Sequence, residues 1–297
     1  MFHGSIVALV TPMNPQGDID FNALSHLIEW HIERGADAIV TLGATGEPAT
    51  LTHEERTKII QHVVDQVAER VPVIAGTGTN CTRTSIELTQ HAMKLGVDAC
   101  MLVTPYYNKP TQEGLYQHYA AVAKNVPIPL LLYNVPSRTA CDLLPVTVAR
   151  LFHFTNIVGV KDATAKIERV RETLDLTDNK IDLLSGDDAT AMEFILSGGK
   201  GVISVTANLA PAQMHAMCAA ALQGNKERAA ALNQPLSSLH EKLFVESNPI
   251  PVKWALCELK MIPGGLRLPL TPLSTHYHET VMTALKEAKI SSLPTMR

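Results

Sequence analysis

Residues 129–162, PLLLYNVPSRTACDLLPVTVARLFHFTNIVGVKD, contain the pattern that decides the fold. Two short apolar runs, Pro129–Tyr133 and Ile157–Val160, stand at the two ends of this stretch, and each is followed at once by polar side chains. The runs are continuously apolar rather than alternating, which is typical of strands buried on both faces of a parallel sheet. The stretch therefore predicts two parallel strands with helical structure between them.

The same kind of run recurs at a steady pitch along the chain. The other six predicted strands are Ser5–Val10, Ala38–Leu42, Pro72–Ala75, Ala99–Val103, Asp182–Leu184 and Gly201–Val205. Amphipathic helical patterns lie between them, and one begins at the capping box Thr52-His53-Glu54-Glu55. Eight strand–helix units in about 220 residues predict an α/β fold, a closed (β/α)8 TIM barrel over residues 1–224. An open doubly wound sheet is the structural alternative, which the lack of a G-x-G-x-x-G motif disfavours.

The strand pattern stops after Gly224. Three later segments, Asn225–Val245, Pro251–Met261 and Pro272–Ala288, read as helices, so we expect a C-terminal helical region over residues 225–297. A chain of 297 residues is long enough for two domains. One barrel with a helical appendage accounts for the same length.

Composition excludes several classes of protein. The 25 basic and 29 acidic residues give a formal net charge of −4, without the basic block of a nucleic-acid-binding protein. No apolar run approaches the roughly 18 residues of a membrane span, and the amino terminus lacks the pattern of a signal peptide. The five cysteines are scattered and never spaced as C-x-x-C, which disfavours a disulfide framework or a thiolate zinc site. We expect a soluble, cytoplasmic protein.

The twelve histidines invite comparison with metal sites. The closest pair, His276 and His278, lacks the H-E-x-x-H spacing that aims two ligands at one ion. We therefore expect solvent-facing histidines there, and neither a metal nor another cofactor.

The residues just after the C-terminal ends of barrel strands are where active sites lie. Lys161 ends a run with no other charge. It is either a lysine that extends to water or a desolvated amine whose lowered pKa lets it attack a carbonyl carbon and form an imine. Tyr133 ends the neighbouring strand, so its phenol is either packed core or a proton donor and acceptor for that reaction.

Two further segments point to anion binding. Gly43–Gly46 is either a tight turn or a loop whose N–H groups, with the Thr45 hydroxyl, bind a small carboxylate. Arg138 is either a surface charge or a bidentate carboxylate clamp. Phosphate is the competing ligand, but no lysine or arginine directly follows the seventh or eighth strand, which disfavours a phosphate-binding barrel isomerase.

Three segments resemble the signature segments of the pyruvate-dependent lyase/aldolase superfamily, and within it the dihydrodipicolinate synthase family. They are Gly43-x-Thr45-Gly46-Glu47, Tyr133–Thr139 and Gly159–Thr164. The likeness covers nearly the whole chain, through Gly4–Ala8, Thr104–Asn108, Leu184–Asp188 and Asn248–Trp254. Arg138 after Val-Pro-Ser separates this family from sialic-acid lyases and sugar-acid aldolases.

The resemblance implies a lyase of diaminopimelate and lysine biosynthesis, which condenses pyruvate with L-aspartate 4-semialdehyde to 4-hydroxy-tetrahydrodipicolinate. It implies that Lys161 forms a Schiff base with pyruvate and that Tyr133 is the general acid and base. Thr45 would bind the carboxylate of pyruvate, and Arg138 that of the semialdehyde.

The resemblance also implies an assembly, a homotetramer built as a dimer of dimers. In such an assembly Tyr107 enters the active site of the neighbouring subunit. Gly186 and Ile203 would line the substrate pocket, with Ile203 contributing its carbonyl oxygen.

One departure from the family pattern lies in the proton relay. Ala44 stands where the family has a threonine whose hydroxyl bridges Tyr133 and Tyr107. General acid–base assistance contributes roughly 10²–10⁴-fold to a rate, so we expect imine formation with reduced turnover. Replacement of the hydroxyl by a water molecule and a deliberate substitution are the alternatives.

The second departure concerns feedback by lysine. The dimer-interface pocket that binds the end product in lysine-inhibited members is matched here by Ala49, His53, Asn80 and Tyr106. Pro48 and Arg56 replace a serine and a histidine of that pocket, and Thr84 replaces the glutamate that pairs with the amine of lysine. Loss of that charge-assisted hydrogen bond costs roughly 1.5–3 kcal/mol, and Arg56 adds like-charge repulsion. We expect weak or no inhibition by lysine.

Two other functions stay open on the sequence. The chain is alternatively a pyruvate-dependent aldolase acting on another aldehyde, which Arg138 disfavours. It is otherwise a catalytically silent homologue that binds oxo-acids, a reading that only Ala44 favours.

Overall fold

Eight parallel strands form a closed barrel in the computed structural model, which describes residues 1–290. Residues 291–297 of the predicted helical region lie outside the described part. The strands follow one another in chain order and β1 pairs with β8: β1 Gly4–Ala8, β2 Ala38–Thr41, β3 Val73–Gly76, β4 Ala99–Val103, β5 Leu130–Asn134, β6 Ile157–Asp162, β7 Asp182–Ser185 and β8 Gly201–Ser204. The predicted barrel is confirmed, with every strand end within two residues of its predicted position.

Helices connect the strands and continue after β8. They are α1 Phe21–Glu33, α2 His53–Val67, α3 Thr82–Lys94, α4 Gln112–Asn125, α5 Pro136–Thr139, α6 Pro145–Leu151, α7 Glu168–Leu176, α8 Ala191–Leu196, α9 Pro211–Leu222, α10 Lys226–Asn233, α11 Ser237–Lys242, α12 Ile250–Glu258 and α13 His278–Glu287. In the C-terminal part α10 packs on α9, and α11 packs on α13.

Two predicted helices differ from the structure. The segment Asn225–Val245 is not one helix, because a 3₁₀ turn over Gln234–Leu236 separates α10 from α11; Pro235 has no N–H to continue the helical hydrogen bonds. The segment predicted to be helical from Pro272 becomes an α-helix only at His278, because the backbone at Ser274 is not helical (φ −59°, ψ 134°) and a 3₁₀ helix over Thr275–Tyr277 follows it.

The capping box predicted at the start of α2 is confirmed. The Thr52 hydroxyl accepts a hydrogen bond from the N–H of Glu55 at 3.2 Å, and the Glu55 carboxylate accepts one from the N–H of Thr52 at 2.8 Å. The apolar face of the helix is buried through Ile59, Ile60, Val63 and Val67. Both the capping residues and the buried apolar face therefore stabilise a helix here.

The apolar core has two parts, because side chains of a strand point alternately to its two faces. The larger part lies between the strands and the surrounding helices. The smaller part fills the barrel and includes Leu131, Tyr133, Leu184 and Ile203. Tyr133 is the last of these along β5, so the polar site begins where this inner core ends.

Within residues 1–290, no helix combines the length and the apolar character needed to cross a membrane.

Candidate active site

Lys161 and Tyr133 meet at the C-terminal end of the barrel. Strands β5 and β6 pair in parallel with these two residues in register. The Lys161 side chain is buried, with 5% of the residue exposed, and its Nζ atom lies 4.1 Å from the centroid of the Tyr133 ring. The amine therefore does not extend to water, and the phenol stands beside it.

Burial shifts the pKa of both groups. It lowers the pKa of Lys161 to about 7, with Arg138 lowering it further and the buried carboxylate of Asp188 opposing the shift. Within residues 1–290 the Lys161 ammonium forms no ion pair. Burial raises the pKa of Tyr133 to about 12. Near neutral pH the site thus holds a partly neutral amine and a protonated phenol.

Gly186 lies beside Lys161. A Cβ atom on Gly186 would lie 3.0 Å from Cε of Lys161 and 2.8 Å from Cβ of Ala163, so a glycine leaves room for the lysine stem. Ile203 is buried in the inner core together with Tyr133.

The turn after β2 carries Thr45. A short 3₁₀ helix, Ala44–Gly46, follows Gly43, and Thr11 donates a hydrogen bond from its hydroxyl to the Gly46 carbonyl at 2.8 Å. The Thr45 hydroxyl is buried and accepts a hydrogen bond from Nδ2 of Asn248 at 2.9 Å. Two distant contacts therefore hold the turn against the barrel end.

Arg138 lies on the short helix α5, directly after β5. Its Nη2 atom donates a hydrogen bond to the carbonyl oxygen of Asn248 at 3.0 Å. The rest of the guanidinium is exposed toward a cleft of about 420 Å³, a volume typical of small-molecule sites. Tyr133 and Ala44 line the same cleft, so the predicted cation, tyrosine and turn converge on one space.

Tyr107 does not join this group within the chain. Its side chain is 89% exposed and its backbone has a positive φ of 75°. In the described part of the chain this aromatic side chain therefore lies on the surface.

The residues matched to the lysine pocket divide into two groups. Ala49 and Tyr106 line the cleft, together with Arg56, whose Nη2 donates to the Pro48 carbonyl at 2.5 Å. His53 instead packs against the ring of His91, and the carbonyl of Asn80 accepts a hydrogen bond from Asn108 at 2.8 Å.

Three residues at the site were given no role from the sequence: Asn248, Lys253 and Glu47. Lys253 and Glu47 form an ion pair of 2.5 Å with both side chains buried. Lys253 thus differs from Lys161, which is also buried but forms no ion pair with residues 1–290. A lone lysine in the apolar run that forms α12 was the available signal. For Asn248 the sequence carried no signal beyond its place in the segment Asn248–Trp254.

Of the two histidines expected to face solvent, His276 is exposed and His278 is only partly exposed. His276 packs on Tyr277, whereas His278 stacks on Trp254 with 4.5 Å between ring centroids. In the described part of the chain, no three His, Cys, Asp or Glu side chains cluster as metal ligands would.

A (β/α)8 barrel that holds a desolvated lysine beside a tyrosine at the ends of its strands is typical of enzymes that form imines with carbonyl substrates. Comparison with known proteins defines the family. The model of the dihydrodipicolinate synthetase family matches residues 1–288, and the chain belongs to this family.

Individual relatives agree over nearly full length. The 4-hydroxy-tetrahydrodipicolinate synthase of Nitrosococcus oceani is 58% identical over 290 residues, which are 98% of this chain and 99% of the relative. The chloride-inhibited dihydrodipicolinate synthase of Acinetobacter baumannii, solved in complex with pyruvate, has a TM-score of 0.97 at 52% identity, over 98% of this chain and 100% of that one. A monomeric dihydrodipicolinate synthase variant has a TM-score of 0.95 at 40% identity, over 98% of each chain.

Proposed function

We propose that the chain catalyses the reaction for which its relatives are named, the condensation of pyruvate with L-aspartate 4-semialdehyde to 4-hydroxy-tetrahydrodipicolinate. The observation that carries the proposal is the buried amine of Lys161, which lies beside Tyr133 and forms no ion pair with residues 1–290. The pyruvate complex of the Acinetobacter baumannii relative supports an oxo-acid as the first substrate.

The first step joins pyruvate to Lys161. The neutral amine attacks C2 of pyruvate, and the carbinolamine loses its hydroxyl as water to give the imine. Because the pKa of Tyr133 is raised to about 12, its phenol keeps its proton near neutral pH and donates it to the leaving hydroxyl. The phenolate then takes a proton from C3 of the bound pyruvate, so Tyr133 is a phenol again before the second substrate reacts.

The two carboxylates are held by separate groups. The Thr45 hydroxyl and the N–H groups of its turn receive the carboxylate of pyruvate. The Arg138 guanidinium, exposed at the cleft, receives the carboxylate of the semialdehyde. A cleft with a guanidinium at its mouth favours a substrate with an acid group remote from its aldehyde, which supports L-aspartate 4-semialdehyde over neutral aldehydes.

Carbon–carbon bond formation follows from the imine. Loss of the C3 proton of the bound pyruvate to the Tyr133 phenolate gives an enamine, whose C3 attacks the aldehyde carbon. The aldehyde oxygen takes a proton from the Tyr133 phenol to become the 4-hydroxyl group, and the ammonium of the semialdehyde returns a proton to Tyr133. The amine of the semialdehyde then attacks the imine carbon and displaces Lys161, which closes the ring. One water leaves overall, and the lysine is regenerated.

We propose a homotetramer, built from dimers in which Tyr107 reaches the site of the adjoining subunit. The exposed Tyr107 supports this, because an aromatic side chain that is 89% exposed gains from burial in an interface. A monomeric dihydrodipicolinate synthase variant has the same fold, so the proposed assembly rests on Tyr107 rather than on the barrel. Sedimentation equilibrium decides the matter: a tetramer is expected, and a monomer that turns over at full rate contradicts the role given to Tyr107.

A substrate comparison tests the proposed reaction. Product formation is measured with pyruvate and either L-aspartate 4-semialdehyde or an aldehyde of similar length without the carboxylate. We expect the semialdehyde to be preferred, and Arg138→Ala to raise its KM strongly while pyruvate still forms an imine on Lys161. Equal use of both aldehydes would favour a different aldolase, and imine formation without any product would favour a silent oxo-acid-binding homologue.

A further inference from the structure

We propose that Asn248 is a positioning residue that sets the direction of the Thr45 hydrogen bond, so that the Thr45 hydroxyl can only donate to a bound carboxylate. This inference rests on the proposed function, in which Thr45 binds the carboxylate of pyruvate. It adds a residue from the C-terminal helical region to the substrate site.

The contact between the two side chains is polar and enclosed. Nδ2 of Asn248 donates to Oγ1 of Thr45 at 2.9 Å, and the exposed fractions are 6% for Asn248 and 2% for Thr45. An amide NH₂ group has no acceptor lone pair, so the hydroxyl accepts in this orientation of the amide, which leaves Oδ1 of Asn248 buried without a partner among residues 1–290. A hydroxyl has a single proton, and accepting from Asn248 leaves that proton free.

The free proton of Thr45 has no acceptor among residues 1–290. A carboxylate offers only acceptors, so an incoming oxo-acid anion supplies the missing partner. The arrangement therefore selects for an anion over a donor group at this position, without any positive charge in the contact.

Asn248 is itself held by contacts on both sides. Its backbone carbonyl oxygen accepts the hydrogen bond from Arg138, the group assigned to the second substrate. Five residues further on, Lys253 pairs with Glu47, which lies two residues after Thr45. The segment that carries Asn248 thus contacts the binding group of each substrate and is anchored by a buried ion pair.

The substitution Asn248→Asp keeps the shape of the side chain and reverses its chemistry. A carboxylate can only accept, so the Thr45 proton would turn toward it and away from the ligand. Asn248→Ala removes the amide but leaves the Thr45 proton free. Loss of a space-filling side chain would make the alanine variant the weaker binder, whereas loss of the donor direction makes the aspartate variant the weaker binder.

The test is a double-mutant cycle on pyruvate binding. The apparent Kd of pyruvate is obtained from the rate of borohydride-trapped imine formation in the Thr45 protein and in Thr45→Val, each with Asn, Asp or Ala at position 248. Charge repulsion by the new carboxylate acts in both backgrounds and cancels in the ratio. We expect Asn248→Asp to raise the Kd about tenfold more in the Thr45 background than in Thr45→Val. We also expect Asn248→Asp to be worse than Asn248→Ala in the Thr45 background.

Equal effects of Asn248→Asp in the two backgrounds, or a weaker binder in Asn248→Ala than in Asn248→Asp, would overturn the proposal. If Asn248→Asp does not fold, Asn248→Leu replaces it in the cycle. A few-fold coupling with Thr45 is then expected, and the absence of coupling is the contrary result. Absence of a trapped imine in the unaltered protein is a separate outcome, which contradicts the proposed function itself.

Discussion

Nζ of Lys161 lies 4.1 Å from the ring centroid of Tyr133, on adjacent strands that pair the two residues in register. Burial disfavours the charged form of both groups, so it lowers the pKa of the lysine to about 7 and raises that of the tyrosine to about 12. The same dry environment therefore yields a nucleophilic amine and a phenol that keeps its proton, the two species that imine formation needs.

The rate of imine formation should depend on pH through Lys161. Because the free amine is the reactive form and its pKa is about 7, the rate should rise with pH below that value and level off above it. Borohydride trapping of the pyruvate adduct across this range measures the inflection. In Asp188→Asn, loss of the carboxylate that raises the lysine pKa should move the inflection to lower pH. An inflection near the ordinary lysine value of 10.5 would contradict the desolvated amine.

Restoring a hydroxyl at Ala44 should speed turnover. Ala44 lines the cleft with Tyr133, so Ala44→Thr places a hydroxyl where the family's proton relay has one. We expect kcat to rise by about tenfold or more, with little change in the rate of pyruvate imine formation. Ala44→Val is the matched control, since it adds the same volume without the hydroxyl. An unchanged kcat in Ala44→Thr, or an equal gain in Ala44→Val, would exclude a relay defect.

The barrel was predictable because each strand carries its own local signal. An apolar run ending in polar residues is visible in a short window, and Tyr133 and Lys161 each end such a run on neighbouring strands. The break between α10 and α11 was also locally encoded, in Pro235, but the helical pattern on either side obscured it.

The contacts that anchor the substrate turn were not predictable in this way. Asn248 and Lys253 reach Thr45 and Glu47 across 203 and 206 residues of sequence. No periodicity links segments at that separation, because such contacts depend on how the C-terminal helices pack over the barrel end. The burial of Lys161, which decides between a solvated lysine and a nucleophile, likewise depends on the closed barrel rather than on its neighbours in sequence.

Lysine should inhibit this enzyme weakly. The hydrogen bond from Arg56 to the Pro48 carbonyl holds the positively charged guanidinium at the cleft wall. Thr84 offers no carboxylate to the amine of lysine. Initial rates with increasing lysine measure the effect, and little inhibition is expected at micromolar concentrations. The double substitution Arg56→His and Thr84→Glu should increase sensitivity by about tenfold or more. Strong inhibition of the unaltered protein by micromolar lysine would refute this expectation.

Removing one partner of the buried Glu47–Lys253 ion pair should strongly lower the free energy of unfolding. Lys253→Met leaves the Glu47 carboxylate buried without its partner, and such a loss costs about 3–5 kcal/mol in the free energy of unfolding. Adding Glu47→Gln should recover much of the loss. Chemical denaturation measures these changes.

An exposed pair supplies the control for that measurement. Lys58 and Glu54 form an ion pair of 2.6 Å on the surface of α2, with 60% and 77% of their side chains exposed, so Lys58→Met should leave the denaturation midpoint nearly unchanged. A similar loss in Lys58→Met and Lys253→Met would show that burial of the Glu47 pair has no special effect.

The central claim is that Lys161 is the amine that binds the oxo-acid, and borohydride trapping followed by peptide mass mapping tests it most directly. The protein is incubated with pyruvate and borohydride, and the modified peptide is located. We predict one reduced pyruvate adduct per chain, on Lys161, with none on the equally buried but paired Lys253 and none in Lys161→Met. An adduct on another lysine, or no adduct in the unaltered protein, would contradict the account.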